Sequence, residues 1–252
     1  MSLLTWIILF SLLGGVLSVL VAALFLVLPE RWRGWLLPHL ISFATGALLA
    51  AAFIALLPQA LEAGGDVHAV TTTLLAGFIG FFLLEKLLLW HHCHTVECEL
   101  EPGQHQAGYL VLVGDGIHNF VDGILIGAAF LVDIRVGVVT AVAVAAHEIP
   151  QELGDFAILL QSGFRRFSAL AANVASSLTT VAGALIAWFA LAGTEAVLPF
   201  VLAVAAASFI YIAAADLIPG LHRRAGLRAT VTQLLLIGAG VMVIYGANAS
   251  TH

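Results

Sequence analysis

The sequence predicts an all-α polytopic membrane protein, a bundle of eight transmembrane helices. Of its 252 residues 62% are apolar and 10% charged, and the mean hydropathy is +1.08, so most side chains need lipid rather than water as solvent. Runs such as Ala50-Ala51-Ala52-Phe53-Ile54-Ala55-Leu56-Leu57 are apolar at every position, without the alternation of a lipid-facing barrel strand. In hydrocarbon each unpaired backbone group costs several kcal/mol, so such runs become helices, and about 20 residues suffice to cross. Two cysteines cannot staple this fold, and nine basic residues are too few for a nucleic-acid surface.

The expected spans, in order, are 4–28, 36–60, 70–90, 108–131, 136–160, 168–192, 197–218 and 229–247. The first has no basic start, and its apolar run reaches the Pro29-Glu30-Arg31-Trp32-Arg33 turn, so it is expected to stay on as a helix rather than be removed as a secretion signal. The second ends Ala55-Leu56-Leu57-Pro58 and the seventh Asp216-Leu217-Ile218-Pro219. That echo suggests a 3+2+3 inverted repeat, with helices one to three and six to eight flanking four and five; a common proline-terminated ending explains it equally well. All basic residues except Arg135 lie in or beside the first, third, fifth and seventh connections. Basic connections resist export, so these are expected in the cytoplasm and both termini outside, on the periplasmic side of a bacterial inner membrane. Residues 1–252 then form one transmembrane domain, with a His/Cys-rich cytoplasmic loop at 91–107.

Polar atoms concentrate in spans four and five. Span four carries Asp115, His118, Asn119 and Asp122 at offsets of three, four and seven, one stripe of a helix. Span five carries His147, Glu148, Gln151, Glu152 and Asp155 with the same offsets, and Pro150 among them frees the carbonyl of Ala146 and loosens the helix there. Five carboxylates would cost roughly 15 kcal/mol if charged and unpaired, at about 3 each. Neither span has an internal Lys or Arg, so the economical counter-charge is a divalent cation. Mixed imidazole and carboxylate donors suit Zn²⁺, Fe²⁺, Mn²⁺, Co²⁺ or Cd²⁺, while the absence of sulfur argues against copper(I). The alternative is a polar network that only glues the two helices.

The strings His118-Asn119-Phe120-Val121-Asp122-Gly123 and His147-Glu148-Ile149-Pro150-Gln151-Glu152 resemble the paired signatures of the ZIP (Zrt- and Irt-like protein) family of divalent-metal transporters. The continuation Leu153-Gly154-Asp155-Phe156-Ala157 is most similar to the branch whose second signature reads His-Glu-x-Pro-His-Glu. The resemblance implies that the metal is transported substrate and no catalytic cofactor, carried through a site between helices four and five. It also implies helices that slide against a more static scaffold, in a homodimer. Carried over by position, a first metal takes His118, Asp122, His147, Glu148 and residue 151, and a second shares Asp122 and Glu148 and adds Asn119. Glu152 is counted with these ligands, and Asp115, Asp155 and Asp216 with the metal pathway; hydrogen bonding to a neighbouring helix is the other reading of Asp216.

The chain departs from that branch at Gln151, where an amide oxygen replaces an imidazole and loosens the site for zinc. Helix six offers Ser176, Ser177, Thr179 and Thr180 where some relatives have an acid, and helix two has Ala55 and Gln59 where the branch often has His and Glu. In the third connection His91, His92, Cys93, His94 and Cys98 sit among glutamates, a tract suited to receiving or sensing metal, or else a solvated linker.

The expected activity is transport of Zn²⁺ or a similar divalent ion into the cytoplasm. A different class, an intramembrane metal-dependent hydrolase with Glu148 or Glu152 as base, is weakened because Gln151 breaks the zinc-protease string His-Glu-x-x-His. A sensor that binds without flux is the third reading.

Overall fold

Apolar runs of this length satisfy their backbone only by coiling, and the computed structural model, which describes residues 2–64, 66–94, 105–223 and 226–249, has eight long helical rods. They are α1 (3–27), α2 (30–62), α3 (Val67–His94), α4 (His105–Val132), α5 (Ile134–Gln161), α6 (Arg166–Leu191), α7 (198–222) and α8 (Leu227–Ala249). No strand occurs among the described residues.

Seven of the rods are long and apolar enough to cross a membrane; the exception is α5. Arg135, Glu148, Glu152 and Asp155 dilute its apolar character, yet its 28 residues make a rod about 42 Å long. It takes an interior place, with Val136, Val139, Ala143, Leu153 and Phe156 buried beside the polar residues. Pro150 is buried inside α5 without interrupting it, so the loosening expected there is confined to the donor that the ring lacks.

Two boundaries differ from the sequence expectation. Arg31, Trp32 and Arg33 belong to the first turn of α2 rather than to a turn between helices, because Pro29, with φ −54° and no N–H, suits the start of a helix. α3 runs on to His94 and α4 starts at His105, so His91, His92, Cys93 and His94 continue a helix, while Cys98 and the rest of the metal-binding tract lie outside the described residues.

Local chemistry closes the short links. Asp133 alone separates α4 from α5, and its side chain caps α5 by accepting from the Arg135 amide at 2.7 Å, which forces the two polar rods to lie side by side. Gly163, at φ +86°, ends α5 by letting the Phe164 amide reach back to the Leu159 carbonyl at 3.0 Å.

π-turns widen three rods, at Leu13–Leu17, Ala51–Leu56 and Ile212–Leu217. The last two immediately precede the Leu57-Pro58 and Ile218-Pro219 steps, where a proline ring crowds the turn before it. α3 packs on α7 as α8 packs on α2, and α6 packs on α4 as α1 packs on α5. Exchanging one with six, two with seven, three with eight and four with five leaves that pairing pattern unchanged. α2, α4, α5 and α7 form the interior, while α3 and α8 are largely exposed on the outside.

Candidate metal centre

Helical periodicity puts His118 and Asp122 one turn apart on α4, and α5 brings His147 and Glu148 up against them. One ligand atom from each of these four residues lies within 4.8 Å of the others. The His147 Nε2 atom is 3.1 Å from Asp122 Oδ2, 3.4 Å from His118 Nε2 and 3.8 Å from Glu148 Oε1. His118 Nε2 is 3.4 Å from Glu148 Oε1 and 3.8 Å from Asp122 Oδ2.

The tautomer of His147 decides what this cluster can do. Its Nδ1 lies 3.0 Å from the Ala143 carbonyl, which only accepts, so Nδ1 carries a proton and Nε2 is the nitrogen turned inward, free to bind a metal whenever it is unprotonated. Phe209 of α7 packs edge-on against the same ring. Asp122 and Glu148 are 1% exposed or less, and among the described residues no hydroxyl, amide, lysine or arginine donates to them. Two buried carboxylates this close to each other's imidazole neighbours need positive charge to offset their desolvation, which a metal ion or protons on the rings would supply. The donor set, two imidazoles and two carboxylates, could hold a divalent transition-metal ion.

A second cluster consists of carboxylates alone: Asp115, Glu148 and Glu152 bring one oxygen each within 4.8 Å. Glu148 is common to both clusters. Asn119, which the resemblance assigns to the second metal, makes two side-chain hydrogen bonds: its Nδ2 donates to Asp115 Oδ1 at 2.8 Å and its Oδ1 accepts from Thr180 of α6 at 2.8 Å. Asn119 thereby positions Asp115. Glu152 lies beside the buried amide of Asn173 on α6.

A cavity of about 480 Å³ reaches the first cluster. Of the four residues His118 is the most open to it, at 26% exposure against 1% or less for the other three. Asp115, Gln151, Asp155 and Asp216 line its wall, together with Glu85 of α3. These positions fall late in α3, α5 and α7 and early in α4, so the cavity lies toward the end of the bundle that holds the α1–α2, α3–α4, α5–α6 and α7–α8 connections. On the opposite side of the cluster Leu125, Ile126, Ala129 and Phe130 of α4 are buried in one apolar core that also includes Ala52 and Leu56 of α2.

Three residues near this cavity had no place in the sequence expectation. Tyr211 of α7 donates a hydrogen bond to Glu85, tying α3 to α7, and Asn173 stands by Glu152. Glu85 is the one acid inside the third span and Asn173 the one amide of that type in the sixth, signals that a count of polar residues per span could have raised.

A family model described as ZIP zinc transporter matches residues 91–247. Zinc transporter ZIP13 of Pongo abelii is 35% identical over 251 residues, covering 92% of this chain and 74% of that protein. Zinc transporter zipt-7.2 of Caenorhabditis elegans is 32% identical, over 84% of this chain and 58% of its own length, and human zinc transporter ZIP4 is 42% identical over 48% of this chain and 19% of its own. The hydrolase alternative falls, because this family consists of transporters. With its two signature strings on adjacent helices of an integral membrane bundle, the chain belongs to the ZIP zinc transporter family, in which a metal ion is the transported substrate and not a catalytic cofactor.

Proposed function

We propose that this protein carries Zn²⁺ or a similar divalent transition-metal ion into the cytoplasm through the site between α4 and α5. The observation that carries this is the convergence of His118, Asp122, His147 and Glu148, whose two buried carboxylates accept no hydrogen bond among the described residues. The ion exchanges its water for these four donors, then leaves through the 480 Å³ cavity past Gln151, Asp155 and Asp216. The Asp115, Glu148 and Glu152 cluster takes a second ion, and its three oxygens make it the harder of the two sites.

Direction follows from charge: the cavity lies toward the basic connections, and basic connections stay in the cytoplasm. That orientation leaves both termini outside, and the arrangement described here is the inward-facing one. The helix pairing and the two π-turns ahead of Pro58 and Pro219 support a 3+2+3 inverted repeat. A bacterial inner membrane rests on the short outer connections, and a homodimer on the family resemblance; the three relatives named are animal proteins.

The test is uptake into proteoliposomes loaded with a zinc-sensitive dye. Asp122→Ala and His147→Ala are each expected to lower the rate about tenfold or more, and rates equal to the wild type would overturn the proposal. Gln151→His adds an imidazole one turn beyond His147. It is expected to tighten zinc binding about tenfold while slowing turnover, because a site that holds its ion more firmly releases it later. Faster turnover with tighter binding would contradict this view of Gln151.

A further inference from the structure

Most of the basic residues take no part in the metal centre. α2 and α8 cross where Gly46 and Gly240 meet: a Cβ at Gly46 would overlap the Ile237 carbonyl, and one at Gly240 the Phe43 carbonyl. Toward their N-terminal ends the two rods are separated by larger side chains, leaving a crevice of about 170 Å³ lined by Pro38, His39, Ser42, Arg228, Thr232 and Gln233. It sits beside the first two turns of α8, the level at which that helix leaves the hydrocarbon.

Most of the polar lining is already satisfied. Ser42 donates to the Pro38 carbonyl at 2.8 Å, Thr232 to the Arg228 carbonyl at 2.9 Å, His39 Nδ1 to the Trp35 carbonyl at 2.5 Å, and Gln233 Nε2 to the Leu221 carbonyl at 3.0 Å. The Arg228 guanidinium and the second Gln233 amide hydrogen remain. Among the described residues the one arginine with an ion pair is Arg135, paired with Asp133, and no acid lines the crevice. A fixed cation without a counter-charge at the membrane surface attracts an anion.

The surroundings say which kind of anion. Along α8, one to two turns past Arg228, Val231, Leu234 and Leu235 are exposed beside the crevice, an apolar strip for acyl chains. Toward the helix start Trp32 and Trp35 are more than half exposed, and Trp35 lies against His39 with ring centroids 4.4 Å apart. Amphipathic rings of this kind sit at headgroup level. Apolar strip, cationic crevice and aromatic rim follow the order of acyl chain, phosphate and interface in a phospholipid. With no carboxylate in the crevice to hold a choline or ethanolamine ammonium, an anionic head is favoured over a zwitterionic one.

We infer that the crevice between α2 and α8 binds the phosphate head of an anionic phospholipid, with Arg228 as its principal donor and the acyl chains laid along Val231, Leu234 and Leu235. The site is independent of the cargo, and its test does not use transport. Native mass spectrometry of the full chain, released from micelles with equal phosphatidylglycerol and phosphatidylcholine, is expected to show phosphatidylglycerol retained in preference. Arg228→Gln should reduce that preference about tenfold, Arg228→Lys should keep part of it, and Arg166→Gln, at the start of α6, should leave it unchanged. If Arg228→Gln does not fold, Thr232→Phe fills the crevice, keeps the charge, and should lose the lipid as well. Equal retention of both lipids by the wild type overturns the inference, as does an unchanged preference in the folded crevice variants. Inorganic phosphate that raises thermal stability as much as phosphatidylglycerol does would show a free-anion site and overturn the lipid assignment.

Discussion

Replacing Glu148 with glutamine is expected to lower metal uptake roughly 100-fold or more, a larger loss than either Asp122→Ala or His147→Ala produces. Glu148 is the residue that the two clusters share: its Oε1 lies 3.4 Å from His118 Nε2, and one of its oxygens comes within 4.8 Å of Asp115 and Glu152. Loss of one buried charge partner costs about 3–5 kcal/mol, and each 1.4 kcal/mol is about a tenfold change, so one site would account for the predicted fall and two for more. The same substitution should have the opposite sign on stability without metal. In chelator the wild type holds an uncompensated carboxylate in the interior, and glutamine removes that charge at almost unchanged shape. Thermal unfolding in chelator should therefore occur at higher temperature in Glu148→Gln, while added zinc raises the unfolding temperature of the wild type alone. Uptake within twofold of the wild type, or an equal zinc-dependent rise in both proteins, would show that no ion is held at Glu148.

Gly123→Val should leave almost no folded protein, measured as the monodisperse fraction on size-exclusion chromatography in mild detergent. Gly123 follows Asp122 on α4, where the backbone of α6 comes closest. A Cβ there would overlap the Thr180 carbonyl, and in return a Cβ at Gly183 of α6 would overlap the Phe120 carbonyl. Between apolar rods in lipid, close packing is the main attraction, and small residues allow it. Overpacking of this kind costs about 1–3 kcal/mol in a core that can yield, and more where main chain meets main chain. The rods would have to separate, and with them Thr180, whose hydroxyl holds the Asn119 amide that positions Asp115. Gly154→Ala on α5 is the control: nothing lies within 4 Å of its added carbon, and the folded yield should be unchanged. Normal yield from Gly123→Val would mean that α4 and α6 do not meet at this point.

Helical spacing alone selects Asp115, His118, Asn119 and Asp122 as one stripe and His147, Glu148, Gln151, Glu152 and Asp155 as another, and the one-residue link at Asp133 makes the stripes neighbours. Spacing cannot say how those nine residues divide. Asn119 and Asp122 share a stripe, yet Asn119 turns to Asp115 and Thr180 while Asp122 turns to His147. That difference depends on α6, a helix more than forty residues away in sequence. Glu85 and Tyr211 lie 126 positions apart, and no periodicity connects them. The course of α5 through Pro150 was legible, since a single span was expected over 136–160 and the helix runs from Ile134 to Gln161.

What the chain determines by itself is the set of rods, their order and the stripe of donors on each. Hydrocarbon leaves the backbone no other way to satisfy its hydrogen bonds, and 3.6 residues per turn bring offsets of three, four and seven onto one side. The tertiary structure decided which donors converge, that Thr180 and Asn119 position Asp115, and toward which end the cavity lies. Those outcomes depend on how closely each pair of rods approaches. Approach is set by side-chain size at crossings such as Gly123 with Gly183, contacts between segments far apart in the chain that no local pattern encodes.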